Sequence, residues 1–275
     1  MISKIFFVIL ISILCSQNLS AQFAVEFNEV KGTLNSTDKF KSGFGRYDGY
    51  EITLYKGEAV NFVVYSDKFQ PRLAFVSQKG EVYKQSNGDQ NNVASLIASV
   101  PEEGEWILYV AGDSTASGSY TFQYAFASAN SISLSADADF CSRIKFIAEH
   151  AKAYFLLFEN SFDSQQPFVK LEGSLDTFLD EDGSYNSVLY EGNNIKEAEK
   201  IVRELSNNIS KCLGKSWQKK TSQWIGEEDY KVKTELFSVS EEKPREVKVN
   251  LLDLKNSRQK FTGDYKVVLT IFRKN

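Results

Sequence analysis

The chain has 275 residues, 42% apolar and 25% charged, a globular composition that excludes a disordered, collagen-like or coiled-coil chain and leaves material for more than one core. With 32 Lys+Arg against 36 Asp+Glu the net charge is −4, so no basic excess exists to hold a nucleic-acid backbone. One His and three Cys starve most metal and acid–base chemistry, and 13 Tyr with 21 Phe against 4 Pro favour sheet.

Met1–Ala21 reads as a signal peptide. Lys4 supplies the positive start, and Ile5–Leu14 is an apolar run broken only by Ser12. That run is far short of the ~20 residues a membrane-spanning helix needs. Small Ala21 marks the cleavage position. Lipid attachment at Cys15 would need small residues before it, and Ile13 and Leu14 stand there instead. No second hydrophobic span follows, so the mature chain is expected to lack a transmembrane segment and to be exported, to the periplasm or beyond. Export leaves Cys141 and Cys212, and in an oxidising compartment an even pair of cysteines favours a disulfide.

From about Phe27 to Ala127 short alternating runs are separated by turn residues. After Val25–Leu34 come Gly49–Tyr55, Ala59–Tyr65, Arg72–Val76, Val82–Tyr83, Val93–Val100, Trp106–Val110 and Tyr120–Phe126. The breaks fall at Lys56-Gly57-Glu58, Lys79-Gly80-Glu81, Asn87–Asn91 and Pro101–Gly104. About eight strands at this spacing predict an all-β sandwich, and no 3.6-residue apolar period interrupts them.

The order of short motifs in this stretch resembles the bacterial pre-peptidase C-terminal domain. Gly32-x-Leu34 is followed by Asp48-x-Tyr50-x-Ile52-x-Leu54 and Lys56-Gly57-Glu58-x-Val60. Phe69-x-Pro71-x-Leu73 with Gly80, then Pro101-x-x-Gly104-x-Trp106-x-Leu108-x-Val110, and finally Gly118-x-Tyr120-x-Phe122 complete the set. The resemblance covers about residues 27–128. It implies a jelly-roll-like sandwich acting as an accessory or binding module of a secreted bacterial protein, with no catalytic residues to carry over. No recognisable peptidase accompanies it.

Beyond the expected linker Ser128–Ser131 the period changes. Phe140, Ile144, Ile147, Ala151, Tyr154 and Phe158 fall at spacings of four and three, with Ala148, Phe155 and Phe162 beside them. That predicts a helix of about six turns capped by Asp137 or Asp139. A second helix is predicted over about Asn194–Leu213, with Ala198, Ile201, Val202, Leu205 and Ile209 facing the core and Gly214 as its stop. Phe168–Leu171 and Ser187–Tyr190 read as strands between the helices; Tyr230–Val239, Val247–Leu254 and Tyr265–Phe272 read as three more after them. The order argues an α+β domain, two helices packed on an antiparallel sheet. If each element reverses direction the helices are antiparallel. Cys141 in the first turn of one then lies beside Cys212 in the last turn of the other, within disulfide reach.

The chemistry-bearing residues are sparse. His150, the only histidine, sits at the edge of the first helix's apolar stripe and reads as structural, since no GxSxG, HExxH or GxxxxGK pattern exists. One His and two distant Cys make no zinc cluster, and no cofactor is expected. Asp180-Glu181-Asp182-Gly183 has a calcium-loop look, yet alignment on Gly183 puts Phe178 and Leu189 at the anchoring ligand positions. A hairpin tip fits better, with Asp182-Gly183 at the turn. Trp106 falls within an alternating strand and reads as core. Trp217 and Trp224 flank Lys219-Lys220, itself expected to be a solvated turn, and serve either as an exposed platform or as cover for a sheet.

The expected architecture is therefore a signal peptide at 1–21, a sandwich over 22–128 and an α+β domain over 131–275 of no recognised family. The expected function is a secreted, non-catalytic binding protein for a protein partner or surface glycan. The alternative is a hydrolase with an acidic site in the α+β domain.

Overall fold

A computed structural model describes residues 25–128, 131, 134–157, 169–180, 183–258 and 261–274; the expected signal segment, Phe158, Phe162, Phe168 and Asp182 lie outside them. The first part is a two-sheet β-sandwich. Its strands are β1 (Val25–Leu34), β2 (Lys39–Lys41), β3 (Gly45–Leu54), β4 (Ala59–Tyr65), β5 (Arg72–Ser77), β6 (Val82–Asn87), β7 (Val93–Ser99), β8 (Gly104–Ala111) and β9 (Gly118–Ala127). They form a four-stranded sheet, β1-β9-β4-β7, and a five-stranded sheet, β2-β3-β8-β5-β6, antiparallel at every pairing. Alternation decides the faces: Val60, Phe62 and Val64 of β4, Leu73 and Phe75 of β5, and Trp106, Leu108 and Val110 of β8 all point into one core. The Phe75 and Trp106 rings stack at 4.5 Å.

The apolar motif residues that carry the family resemblance, from Leu34 to Phe122, build this core, while Lys56, Gly80 and Pro101 stand exposed at turns. Tyr120 on β9 lies over Gly32 of β1, where an added Cβ would sit 2.2 Å from the phenol ring, so only glycine fits. The Tyr120 hydroxyl donates to Asp48 Oδ2 at 2.6 Å and accepts from Tyr50 at 2.5 Å. Burial and these two hydrogen bonds hold the Tyr120 phenol protonated far above its usual range.

The second part is α+β. Helices α1 (Phe140–His150) and α2 (Ile195–Leu213) pack on one face of a sheet ordered β10-β11-β16-β15-β14-β12, with β13 also pairing β14. The strands are β10 (Asp176–Leu179), β11 (Tyr185–Gly192), β12 (Gln218–Thr221), β13 (Ile225–Gly226), β14 (Lys231–Val239), β15 (Arg245–Asp253) and β16 (Tyr265–Arg273). Ile144, Ile147, Ala198, Leu205 and Ile209 meet Val247, Val249, Leu251, Val267, Leu269 and Ile271 in the core. Asn194 caps α2 by accepting from the Lys196 and Glu197 amides, and Asp139 caps α1 by accepting from Ser142. Cys141 and Cys212 are bonded to each other, with Cα atoms 4.9 Å apart, so the start of α1 is tied to the end of α2.

Three sequence expectations fail here. The first helix is about half the expected length: α1 stops at His150, a single 3-10 turn follows at Ala151–Ala153, and Tyr154 and Phe155 adopt left-handed φ of 49° and 58°. The aromatic stretch serves two cores, which a straight helix cannot do. Phe155 enters the α+β core, while Tyr154, Leu156 and Leu157 pack on Val25, Phe27, Ala59, Ala125 and Ala127 of the sandwich. Burying residues such as Phe155 and Leu157, worth roughly 1.5–3 kcal/mol each, offsets the strain of about 1–2 kcal/mol per left-handed residue. Second, Val169–Leu171 is not a strand, because side chains take its carbonyls: Arg143 donates to Lys170 O and Tyr185 to Val169 O. Third, Lys219-Lys220 lies in edge strand β12, paired with Leu236 and Phe237 of β14, rather than in a turn.

The junction between the two parts is built. Asn61 of β4, buried on the outer face of the four-stranded sheet, donates to Leu156 O at 2.5 Å, and Lys243 donates to Phe27 O at the edge of β1. The Arg273 guanidinium sits 4.8 Å from the Phe27 ring centroid and 4.7 Å from that of Tyr154. His150 is 1% exposed and meets Ser131 O at 2.7 Å, which anchors the linker.

Candidate functional site

The junction covers the outer face of the four-stranded sheet near β1 and β9. The outer face of the five-stranded sheet is open. Along β3, Tyr50, Ile52 and Leu54 turn inward, so Tyr47, Gly49 and Glu51 turn outward; on β8 the outward positions are Ile107, Tyr109 and Ala111. Register sets Gly49 and Ala74 on either side of Tyr109. These small neighbours let the Tyr109 ring lie over Gly49, where an added Cβ would come within 3.1 Å of its Cε1. Tyr47 meets Tyr109 edge to face at 4.9 Å, and Phe44 braces both at 6.1 and 6.2 Å. The result is an aromatic ridge held from one side.

Two depressions of about 370 and 450 Å³ flank this ridge and share Tyr47 and Tyr109 as their common wall. The smaller has Ala74 and Val76 as its floor, with Lys41, Val82 and Gln85 at its margin. The larger is lined by Thr37, Asp38, Lys39, Glu51 and Ile107 besides the ridge, and Asp48 reaches it from the hydrogen bond with Tyr120. Among the described residues Lys39, Lys41 and Glu51 form no ion pair, and Asp38 uses one carboxylate oxygen to accept from the Asn35 amide. Lys39, Lys41 and Glu51 are thus free to meet a ligand.

The residues singled out from sequence are dispersed. His150 lies in the interior, where burial pushes its imidazole down to about 4, so it is neutral near pH 7 and has no opening to a substrate. Trp106 is core, and its Nε1 donates to Glu102 O at 3.2 Å. Trp217 packs half-buried against the α+β core beneath Arg245, whereas Trp224 is 39% exposed. Asp180 is at the expected β10–β11 hairpin, where it accepts from Asn186 at 2.7 Å. The disulfide joins α1 to α2 within the α+β part. Sequence reading missed Tyr47 and Tyr109; the available signal was an outward Tyr-x-Gly-x-Glu register opposite the inward Tyr-x-Ile-x-Leu, with a glycine inside a strand marking a close approach.

No family model matches the chain, and a search of curated proteins finds no match either. Among solved structures the chain is similar to the pre-peptidase C-terminal domain of a collagenase from Bacillus anthracis, at 13% identity and a TM-score of 0.28 over 35% of this chain and 87% of that one. It is also similar to PliG of Aeromonas hydrophila, a periplasmic inhibitor of g-type lysozyme, at 11% identity and a TM-score of 0.27 over 37% of this chain and 85% of that one. A third likeness is to a chain of Bacillus endospore appendages, disulfide-linked pili, at 12% identity and a TM-score of 0.25 over 40% of this chain and 92% of that one.

Proposed function

We propose that this chain is an exported, non-catalytic binding protein whose ligand docks on the outer face of the five-stranded sheet, across the Tyr47–Tyr109 ridge. The ridge is the observation that carries the reading. Tyr109 lies over a glycine on a sheet face and meets Tyr47 edge to face, and the depressions on either side hold Lys39, Lys41 and Glu51, which form no ion pair among the described residues. Affinity sites combine an apolar body with a few placed polar groups in this way. The ordered motifs from Gly32 to Phe122 support a pre-peptidase C-terminal-like sandwich at 22–128, with 131–275 as a second folding unit. The disulfide fits an oxidising compartment outside the cytoplasm, after cleavage near Ala21. Among the described residues no helix is long and apolar enough to cross a membrane. The buried, neutral His150 supports a non-catalytic role.

The test uses mature protein applied to purified envelope polysaccharide and, separately, to envelope protein. One of the two retains it, and retention falls about tenfold or more in Tyr47→Ser/Tyr109→Ser, as for the loss of a hot spot. Unchanged retention by that variant defeats the assignment of the surface. Turnover of the retained material defeats the non-catalytic reading.

A further inference from the structure

We infer that the ligand of the Tyr47–Tyr109 ridge is a neutral, hydroxyl-rich chain, an oligosaccharide long enough to lie across the ridge and enter both depressions. The inference rests on the binding reading above and adds the chemical class.

Three features of the surface select that class. The first is the mixture of donors and acceptors. A sugar hydroxyl both donates and accepts, so a saccharide site needs carboxylates and cationic or amide donors side by side. The larger depression offers Asp38 and Glu51 as acceptors with Lys39 and Thr37 as donors, and the smaller offers Lys41 and Gln85. The phenol hydroxyls of Tyr47 and Tyr109 add two groups with no hydrogen-bond partner among the described residues.

The second feature is charge. Three carboxylates, one already accepting from Tyr120, stand against two ammonium groups around the ridge. This near balance sets up no field of one sign to draw in a polyanion or a strongly basic segment. A neutral ligand loses nothing by that balance.

The third feature separates a glycan from a folded protein partner. The centre of a protein–protein interface is depleted of charged residues, and its anchors sit in water-excluding pockets. Here Lys39, Lys41 and Glu51 are exposed and stand directly against the half-buried aromatic ridge, so no wide apolar zone seals the rings from water. Flat rings with wet, polar flanks suit the apolar face of a pyranose, with its hydroxyls at the rim. Spacing agrees with a chain ligand. Tyr47, Gly49 and Glu51 lie two residues apart along β3, so Tyr47 and Glu51 are about 13 Å apart, more than one sugar ring can bridge.

The experiment is a two-dimensional NMR titration of the mature protein with four probes: a β-1,4-linked N-acetylglucosamine hexamer, a neutral linear glucan hexamer, a heparin hexasaccharide and a lysine-rich nonapeptide. The expected result is that a neutral oligosaccharide shifts the resonances of Tyr47, Gly49 and Tyr109 with saturable dependence, and that the charged probes do not. Tyr109→Ala then weakens that binding about tenfold or more. If only heparin or the peptide shifts these residues, the surface binds but the ligand class is wrong. If a neutral sugar binds elsewhere in the chain, or no probe shifts the ridge at all, the inference is overturned, in the last case together with the surface itself. Because the titration is read in the wild-type protein, it holds even where a ridge variant fails to fold.

Discussion

The sandwich and the α+β part spend their side chains differently. In the sandwich, the two faces of one strand divide the work: on β8, Trp106, Leu108 and Val110 build the core while Ile107 and Tyr109 remain on an open face. In the α+β part the helices cover one face of the sheet, and a disulfide ties the two helices together. The lesson is that stability in the sandwich is stored between its sheets, which leaves the outer face of the five-stranded sheet uncovered by the second part. In the α+β part stability is stored in a helical layer and a covalent tie, and its junction residues serve two cores.

The largest expected effect falls on the tie. The bond spans a sequence separation of 71 residues; chain entropy gives it about 4 kcal/mol. Cys141→Ser/Cys212→Ser should therefore lose about that much in denaturant unfolding monitored in the α+β part, and leave ligand binding at the ridge intact. Equal loss of binding would show that the two parts do not divide the work.

Cutting the chain tests the division next. Residues 22–128 expressed alone should give a β-rich circular-dichroism spectrum, because the core between its two sheets is complete without the rest. The fragment should melt below the full chain, since Val25, Phe27, Ala59, Ala125 and Ala127 lose the cover of Tyr154, Leu156 and Leu157. A disordered spectrum would show that the junction is part of the sandwich's own core.

His150 sharpens the contrast through pH. Its value falls from 6.5 to about 4 on burial, so between those values the unfolded chain binds more protons and stability falls as pH falls. The loss starts near pH 6.5, is complete near pH 4, and amounts to roughly 3 kcal/mol. Chemical denaturation of wild type against His150→Gln across that window checks it; parallel curves would contradict the burial of the ring.

How much of this was legible in the sequence depended on whether an element answers to one neighbour or several. Helix α2 has a single apolar stripe, an Asn cap and a terminal glycine, and it runs from Ile195 to Leu213 close to where periodicity places it. Helix α1 carries the same kind of stripe, but the residues after His150 are claimed by the sandwich as well, and local period carries no trace of that competition. Short polar edge strands such as β2 and β12 are invisible for a related reason: they bury no face of their own, so nothing alternates. The motif residues around Tyr120 were legible as a pattern, yet only packing shows that they are structural. The ridge was half legible. Its tyrosines stand in plain alternation with the core residues of β3 and β8, but the cross-strand register that sets Tyr109 over Gly49 is a property of pairing, not of order along the chain.

A smaller effect concerns the polar latch inside the sandwich. Tyr120→Phe removes the hydroxyl that joins Tyr50 and Asp48, and should cost about 1–2 kcal/mol without changing ligand affinity. A fall in affinity from this inward change would mean that the ridge is positioned from below by Asp48.

The most direct test sets two neighbours on one strand against each other. Leu108 faces inward and is fully buried; Tyr109 faces outward on the ridge. Leu108→Ala should lower stability by about 2–5 kcal/mol and leave the affinity of the folded protein unchanged. Tyr109→Ala should lower affinity about tenfold or more and cost less than about 1 kcal/mol of stability. Measuring melting temperature and affinity in parallel for both variants decides the matter. Opposite losses support an outer face kept for a ligand, and a Tyr109→Ala protein that binds as wild type does contradicts it.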